Sequence, residues 1–336
     1  MKFSKSSKYK SRPIIIDGFS GSGKILISEL LKSFINAEIT KWELAFDYIP
    51  ILYSFETIEK EAAQSTLRTI FDEVTYTVSI GRELNYRRKD LLFAFNHPKR
   101  FRYLKSMFSK ELNDSFIINK LAPIMNIPFL VHMSTFNNYL FEETFANDLK
   151  IFYTLRDPLY ILETYSSYLD RINTDPREFT PKQLYKGIDL PWFSNGWEEE
   201  YLSINNTEKS IILIEKCFEL LKLKVAKNFN KSQYKLIFFE DIIIDTDNKF
   251  EEIAKFLDLE FSRKVLKNIK IKNKLPRKNT QVVEGFWKRY TTNGVSRNGE
   301  NEEAILDRTK GLVNEYYFRK LMDLRGEYFA FKNKTS

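Results

Sequence analysis

A glycine-rich loop between a strand-like run and a helix-like run constrains this chain more than any other feature. Residues 13–17 read Pro-Ile-Ile-Ile-Asp, a short β-branched run that is typical of a buried parallel strand. The sequence Gly-Phe-Ser-Gly-Ser-Gly-Lys follows at 18–24, and from residue 25 onward apolar residues recur with helical spacing. A strand, a glycine loop and a helix in this order predict a phosphate-binding loop.

The chemistry of phosphate binding explains the residue types in this loop. Glycines let backbone N–H groups turn toward a phosphate without a Cβ in the way, and the helix N-terminus adds a partial positive charge. The loop residues that we expect at the phosphate are Gly18, Ser20, Gly21, Ser22, Gly23 and Lys24. The next residue is Ile25, where nucleoside triphosphatases carry a Ser or Thr that binds Mg²⁺. The loop therefore predicts phosphate binding without this metal ligand, and we expect no metal.

Composition excludes several classes of protein. The chain has 336 residues, a single cysteine (Cys217) and two histidines (His97 and His132), which excludes a disulfide framework and a Cys-rich zinc site. The formal net charge of +8 suits anionic partners such as nucleotides, although the lysine-rich composition of an AT-rich genome gives the same balance. The charge is diffuse and no nucleic-acid-binding module is present, so we expect no nucleic-acid partner.

The sequence also contains no membrane or export signal that we can identify. No apolar run approaches 18 residues, and residues 1–12 are polar and basic. We therefore expect a cytoplasmic protein without a transmembrane segment.

Strand-like and helix-like runs alternate along the rest of the chain. Further strand candidates occupy residues 129–132, 149–155 and 234–239, with helix-like runs between them. This order predicts an α/β fold of the P-loop type, with a parallel sheet of about four to five strands flanked by helices. We expect one domain over residues 1–336, with a large helical insertion at 36–115 and an irregular insertion at 172–207.

The end of the strand at 149–155 gives the first sign of a family. It runs into Arg156-Asp157-Pro158, and the eighth residue after the arginine is Thr164. This spacing resembles the sulfotransferase family, in which such an arginine and hydroxyl hold the 3′-phosphate of the donor 3′-phosphoadenosine-5′-phosphosulfate (PAPS). An arginine presents a planar fork to phosphate oxygens, and a hydroxyl adds one donor.

Other segments are similar to the same family and occur in the same order over residues 13–290. His132 ends a strand about two dozen residues before Arg156, where the resemblance implies a catalytic base, and its ordinary pKa suits that role. The segment 235–241 and the Phe-Leu-Asp-Leu turn at 256–259 look like the family's later strand and helix. Arg277 and Lys278, followed by Gly-Phe-Trp-Lys at 285–288, are similar to its C-terminal loop, which closes over the 3′-phosphate.

The glycine loop departs from the family pattern. The family usually has Lys or Arg two residues before the last glycine and Thr-Thr after it, whereas this chain has Gly21 and then Lys24-Ile25. Either the catalytic cation has moved to Lys24, or the loop binds another ligand. The resemblance implies that Ser20 or Ser22 supplies the hydroxyl that receives the 5′-phosphosulfate.

The resemblance implies a sulfotransferase-like enzyme that moves a sulfuryl group from PAPS to a hydroxyl or amine of a small molecule or a saccharide. Lys24 and His132 are its expected catalytic residues. A P-loop kinase that depends on a nucleoside triphosphate and a non-catalytic nucleotide-binding protein on the same scaffold are the alternatives. We expect His97 to lie at the surface, and we expect the two insertions to determine the acceptor.

Overall fold

A parallel β-sheet carries the glycine loop and the ends of the predicted strands. The computed structural model describes residues 4–6, 8–82, 84–88, 93–108, 114–121, 123–136, 138–176, 178–228, 232–276 and 301–335. Within these ranges, four parallel strands pair in the order β2-β1-β3-β6 and two antiparallel strands form a hairpin. The strands are β1 (Arg12–Gly18), β2 (Asn126–Leu130), β3 (Lys150–Leu155), β4 (Lys182–Tyr185), β5 (Ile188–Pro191) and β6 (Tyr234–Phe238).

Helices pack on both faces of the sheet. In chain order they are α1 (Lys24–Leu31), α2 (Leu44–Ser54), α3 (Lys60–Ser79), α4 (Arg100–Met107), α5 (Asp114–Leu121), α6 (Leu140–Phe145), α7 (Pro158–Leu169), α8 (Glu198–Ser203), α9 (Asn206–Asn228), α10 (Phe239–Ile244), α11 (Thr246–Leu257), α12 (Arg263–Lys272), α13 (Glu302–Leu312) and α14 (Glu315–Thr335). Short 3₁₀ helices lie at Ala94–Asn96, Ala146–Asp148 and Trp192–Ser194. The predicted α/β architecture with a parallel sheet of four strands is confirmed.

The alternation of side chains along β1 divides the core into two layers. Ile15 packs with the helices of the larger layer, which includes residues of α3, α6, α7, α9 and α14. Ile14 and Ile16 point to the opposite face, against α1, α10, α11 and α12. All three isoleucines are fully buried, as expected of a parallel strand covered on both faces.

The segment after α1 extends the sheet beyond β2. Ala37 and Lys41 form parallel bridges to Asn126 and Phe129, and the Leu130 N–H donates to the Lys41 carbonyl at 2.9 Å. This contact runs along the outer edge of β2 and leads directly into α2. The start of the predicted helical insertion is thereby fixed to the sheet, and α2 lies near the end of β2.

Two segments have more regular structure than the sequence suggested. The predicted irregular insertion contains the β4–β5 hairpin, whose turn residues Lys186 and Gly187 have φ of 48° and 83°, the geometry of a tight hairpin turn. The basic stretch that begins at residue 263 also has regular structure: it forms α12, because Leu266 and Ile269 bury an apolar face and Ser262 caps the helix. No helix among the described residues combines the length and apolarity that crossing a membrane requires.

Candidate active site

The glycine loop lies between β1 and α1 and fits closely against its neighbours. Gly18 has φ of +144°, and a Cβ there would lie 2.3 Å from the Thr154 hydroxyl oxygen of β3. Gly23 has φ of +105°, and a Cβ there would lie 2.7 Å from the ring of Phe239. Both positions combine a left-handed backbone with no space for a side chain, so the loop conformation depends on glycine.

The two loop serines point to different surroundings. The Ser22 hydroxyl is buried, donates to the Phe19 carbonyl at 2.7 Å and shares a 2.7 Å hydrogen bond with the Thr154 hydroxyl. Ser20 is half-buried and lines the pocket described below, whereas Ser22 does not. The structure thus gives the two hydroxyls different positions: Ser22 ties the loop to β3, and Ser20 lies on the open side.

Lys24 begins α1 and turns its ammonium group back toward the strand ends. Its Nζ donates to the carbonyl of Gly18 at 2.8 Å and to the carbonyl of Val131 at 2.6 Å. Burial lowers the pKa of Lys24 to about 8, while the nearby carboxylates of Asp17 and Asp47 oppose that shift. Lys24 therefore joins the loop to the residue just before His132.

Arg156 and Thr164 approach the loop from β3 and α7. The Arg156 guanidinium donates to the carbonyl of Gly21 at 3.1 Å and lies over the ring of Phe239 at 4.2 Å. The Thr164 hydroxyl oxygen would lie 3.3 Å from a Cβ built on Gly21, so this hydroxyl also borders the loop. The residue pair predicted from its spacing of eight is thus brought to one side of the glycine loop.

A buried carboxylate holds the turn that follows β2. Asp17 is fully buried at the end of β1, and its oxygens accept the backbone N–H groups of Gly18 at 2.6 Å, Met133 at 2.5 Å and Thr135 at 3.1 Å. The Thr135 hydroxyl donates to the same carboxylate at 2.6 Å. Four donors offset the cost of burying the Asp17 carboxylate, and they fix the position of residues 133–135 relative to the glycine loop.

His132 lies in this turn with its ring against the insertion. The side chain is 40% exposed, its Nδ1 is 3.0 Å from an Asp47 carboxylate oxygen, and its ring centroid is 5.7 Å from that of Trp42.

The other histidine, His97, has different surroundings. His97 is buried, so the prediction that it lies at the surface was wrong. Its Nδ1 accepts the backbone N–H of Lys99, and its ring packs on Tyr103. Burial lowers the pKa of His97 to about 2.

A single pocket borders most of these groups. Its loop end is lined by Ser20, Gly21, Gly23, Lys24, Ile25, Arg156, Thr164 and Phe239. Its aromatic end is lined by Trp42, Leu44, Ile51, Tyr168, Phe179, Pro181, Trp192 and Phe193, together with Asp47, Arg171, Asp175 and Glu178. His132 and Met133 line the pocket as well.

The remaining predicted residues either do not line the pocket or lie outside the described residues. Gly18 and Ser22 support the loop from behind rather than lining the pocket. Arg277 and Lys278 lie outside the described residues, and so does the Gly-Phe-Trp-Lys segment.

Sequence reasoning missed several residues that hold the site in place. Asp17 and Asp47 were not singled out, although Asp17 directly precedes the glycine loop, which is a local signal. Arg325 in α14 donates to both oxygens of Asp157 at 2.9 and 2.7 Å, and Asp157 in turn caps α7. The partners of Asp47 and Arg325 are distant in sequence, so no local pattern points to them.

Solved structures and one curated protein show similarity to this chain. The sulfotransferase domain from the curacin biosynthetic pathway is 12% identical, with 96% of this chain and 98% of that chain covered and a TM-score of 0.44. The sulfotransferase domain of the Synechococcus PCC 7002 olefin synthase is 11% identical, with 98% of both chains covered and a TM-score of 0.43. Reticulocyte-binding protein homolog 1 of Plasmodium falciparum is 23% identical over 262 residues, which is 73% of this chain but only 8% of that protein.

The family assignment rests on none of these likenesses. The family model described as "Sulfotransferase domain" matches residues 11–318, which is most of the chain. The match begins at the strand before the glycine loop, contains every predicted site residue and ends within α14. The chain belongs to the sulfotransferase domain family, a family of transferases.

Proposed function

We propose that this protein transfers the sulfuryl group of PAPS to a hydroxyl or amine of an acceptor molecule. The observation that carries the proposal is the shared pocket: the glycine loop, Arg156, Thr164 and His132 all border it. A donor anchored at the loop end would place its reacting group between the loop and His132, and the acceptor would enter from the aromatic end.

The loop would hold the 5′-phosphosulfate of the donor. Backbone N–H groups at the N-terminus of α1 and the Ser20 hydroxyl supply neutral donors. Lys24 supplies the positive charge. Two of its three N–H groups donate to carbonyls of described residues, which leaves the third for an oxygen of PAPS. Ser20 suits this role better than Ser22, whose hydroxyl is committed to β3.

The 3′-phosphate of the donor would lie beside Arg156 and Thr164. Both border Gly21, and the Arg156 fork is already oriented by the Gly21 carbonyl and the Phe239 ring. A guanidinium held in this way recognises phosphate with little loss of side-chain freedom. Arg277 and Lys278 would complete this site, as the family resemblance implies.

The transfer step would be an in-line displacement at sulfur. The acceptor oxygen or nitrogen forms a bond to sulfur while the bond between sulfur and the bridging 5′-phosphate oxygen breaks. The acceptor proton passes to His132, and the leaving group is 3′,5′-adenosine bisphosphate, whose new charge Lys24 and the loop N–H groups stabilise. His132 then releases the proton to solvent, so the enzyme returns to its starting state.

The aromatic end indicates which acceptors suit this pocket. Trp42, Leu44 and Phe179 are large apolar side chains that remain 49%, 36% and 51% exposed. The carboxylates here (Asp47, Asp175 and Glu178) outnumber the single arginine, Arg171. An apolar acceptor, neutral or cationic, therefore fits this end better than an acidic saccharide does.

Three phenols of similar size test the reaction and this charge preference together. Tyramine is cationic, 4-ethylphenol is neutral and 4-hydroxyphenylacetate is anionic, and each is incubated with PAPS while the sulfated product is measured by mass spectrometry. We expect product from the first two and at least about tenfold less from the anion. Glu178→Gln should reduce the difference in product between the anionic phenol and the other two. Glu199→Gln, which changes a carboxylate outside the pocket, should leave that difference unchanged. Equal rates for all three would contradict the charge preference.

The alternatives have distinct outcomes in the same assays. A P-loop kinase would bind ATP with Mg²⁺ and transfer phosphate, although Ile25 lines the pocket where such enzymes carry a hydroxyl ligand. A non-catalytic nucleotide-binding protein would bind 3′,5′-adenosine bisphosphate and yield no sulfated product with any phenol, amine or oligosaccharide.

A further inference from the structure

Asp47 contacts both the backbone and the ring of His132. One carboxylate oxygen accepts the His132 backbone N–H at 2.6 Å, and the other lies 3.0 Å from Nδ1 of the ring. Because an ionised carboxylate accepts hydrogen bonds and cannot donate them, this contact favours the tautomer whose ring proton is on Nδ1. The lone pair of the neutral imidazole is then on Nε2, on a ring that is 40% exposed and lines the pocket.

The turn around His132 is held from two sides. Asp17 accepts the N–H of Met133, while Asp47 accepts the N–H of His132 itself. Met133 has φ of +62°, which is unfavourable for a residue with a side chain. Such strain persists only where the surroundings determine the backbone, and it is frequent at functional sites.

The carboxylate that contacts His132 comes from the helical insertion and not from the sheet. Asp47 lies in the first turn of α2, which follows the segment that pairs with β2, and its side chain is only 10% exposed. Trp42 of the same insertion packs against the ring, with the two ring centroids 5.7 Å apart. The ring of His132 is thus restrained by a carboxylate and an aromatic side chain, both from residues 36–54.

We propose that Asp47 is a positioning residue for the reaction, because it fixes the His132 tautomer that can accept a proton at Nε2. This inference rests on the proposed function for the role of His132 as base. It adds a residue that neither the family resemblance nor the sequence spacing indicated.

The tautomer can be measured directly. The chain has two histidines, so the protein labelled with ¹⁵N-histidine gives two imidazole systems, and His132→Asn identifies which belongs to His132. Long-range ¹H–¹⁵N spectra of the neutral ring should show the proton of His132 on Nδ1. A proton on Nε2 in the unmodified protein would overturn the proposal, and this measurement does not depend on activity.

Asp47→Asn separates the positioning role from simple support of the turn. The amide oxygen can still accept the His132 backbone N–H, but the amide NH₂ can donate to Nδ1 and move the ring proton to Nε2. We expect the Nε2–H tautomer and a fall in kcat of about 10²-fold or more. The affinity for 3′,5′-adenosine bisphosphate should change little when it is measured well below the Lys24 pKa of about 8, because the Asp47 carboxylate also helps to keep Lys24 charged. A variant with the kcat of the unmodified protein would contradict the proposal.

Asp72→Asn is the matched control. Asp72 is also a buried carboxylate of the insertion that accepts a backbone N–H, from Lys8 at 3.1–3.2 Å, but it does not line the pocket. We expect the Asp72→Asn variant to have the same kcat and the same His132 tautomer as the unmodified protein. If Asp72→Asn lowers kcat as much as Asp47→Asn does, the effect is general to the insertion and the proposal fails.

A double-mutant cycle shows whether Asp47 acts through His132. In a His132→Asn background, Asp47→Asn should change kcat by less than about twofold, because the ring that it orients is gone. An equal fall in both backgrounds would overturn the positioning role. If the unmodified protein transfers no sulfate at all, the proposed function fails, while the tautomer measurements still decide whether Asp47 fixes the ring.

Discussion

The loop end and the aromatic end of the pocket are built in different ways. At the loop end, Lys24 and Arg156 lie within one or two residues of a sheet strand or the glycine loop, and backbone carbonyls orient their charged groups. At the aromatic end, the side chains come from the helical insertion, from the end of α7 and from the segment that follows it, and Trp42 and Phe179 remain about half-exposed. One end is closely packed and cationic, and the other is open, apolar and acidic.

This difference fits the proposal that the two ends hold different ligands. A donor that is the same in every turnover suits groups fixed by the sheet, because pre-oriented charges bind phosphate with little entropy loss. An acceptor suits a surface whose residues come from insertions, because those can vary without disturbing the sheet. His132 stands between them: β2 and Asp17 fix its turn, and Asp47 from the insertion fixes its ring.

The largest effect on catalysis is expected at His132, which lies between the two ends of the pocket. His132→Asn removes the atom that is proposed to accept the proton but leaves the residues of the loop end in place. We therefore expect kcat to fall by about 10²–10⁴ while the affinity for 3′,5′-adenosine bisphosphate stays the same. Steady-state kinetics and calorimetry measure the two quantities. A variant that also loses nucleotide affinity and melts early would mean that His132 supports the fold of the loop end.

Gly18→Ala should break the loop end alone. The added Cβ would lie 2.3 Å from the Thr154 hydroxyl oxygen and 2.4 Å from the Thr154 carbonyl oxygen. Overpacking and a left-handed backbone together should lower the free energy of unfolding by about 2–5 kcal/mol and abolish nucleotide binding. Thermal unfolding and calorimetry provide the test.

Gly187→Ala is the control for that substitution. Gly187 also has a positive φ, of +83°, but nothing lies within 4 Å of the added Cβ. We expect a loss of about 1–2 kcal/mol in unfolding free energy and no loss of nucleotide affinity. If both variants behave alike, the close fit of the loop against β3 does not matter for binding.

We expect Lys24 to make the nucleotide affinity of the loop end depend on pH. Its pKa of about 8 means that the buried ammonium is charged below this pH and loses its proton as the pH rises through it. Affinity for 3′,5′-adenosine bisphosphate should therefore fall above pH 8. Lys24→Ala should weaken binding by about 10–150-fold at pH 7 and remove this pH dependence. A pH dependence that survives in Lys24→Ala would assign the titration to another group.

Arg156→Ala should have a smaller and more selective effect. If Arg156 contacts the 3′-phosphate, the variant should lose about tenfold or more in affinity for 3′,5′-adenosine bisphosphate and little for 5′-AMP, which lacks that phosphate. Titrations of both nucleotides give the ratio. Equal losses would mean that Arg156 acts by holding the Gly21 carbonyl rather than by reading the phosphate.

The two ends also differ in how well the sequence predicted them. The placement of the loop end could be predicted because Lys24 follows the glycines and Arg156 directly follows β3. Thr164 lies within α7, eight residues after Arg156, and the family resemblance indicated it by that spacing. Parallel strands end at one edge of a sheet, so local patterns are enough to bring these groups together. The same reasoning predicted the sheet of β1, β2, β3 and β6.

The aromatic end could not be predicted in this way. Asp47 meets His132 across 85 residues, and α2 reaches it only because the preceding segment pairs with β2. His97 was misplaced at the surface because its neighbours in sequence are charged, whereas its ring packs on Tyr103 beside the buried Glu38. Contacts of this kind depend on the packing of the insertion, which leaves no periodic pattern in the sequence.

Calorimetric titration with 3′,5′-adenosine bisphosphate, with ATP and Mg²⁺ as the rival ligand, tests the central claim most directly. The loop end is proposed to hold a nucleotide with a 3′-phosphate through Lys24, Arg156 and Thr164, without the hydroxyl that Mg²⁺ requires at position 25. We expect saturable binding of the bisphosphate in the presence of EDTA and much weaker binding of ATP with Mg²⁺. Tight binding of ATP that requires Mg²⁺, with no binding of the bisphosphate, would contradict the account.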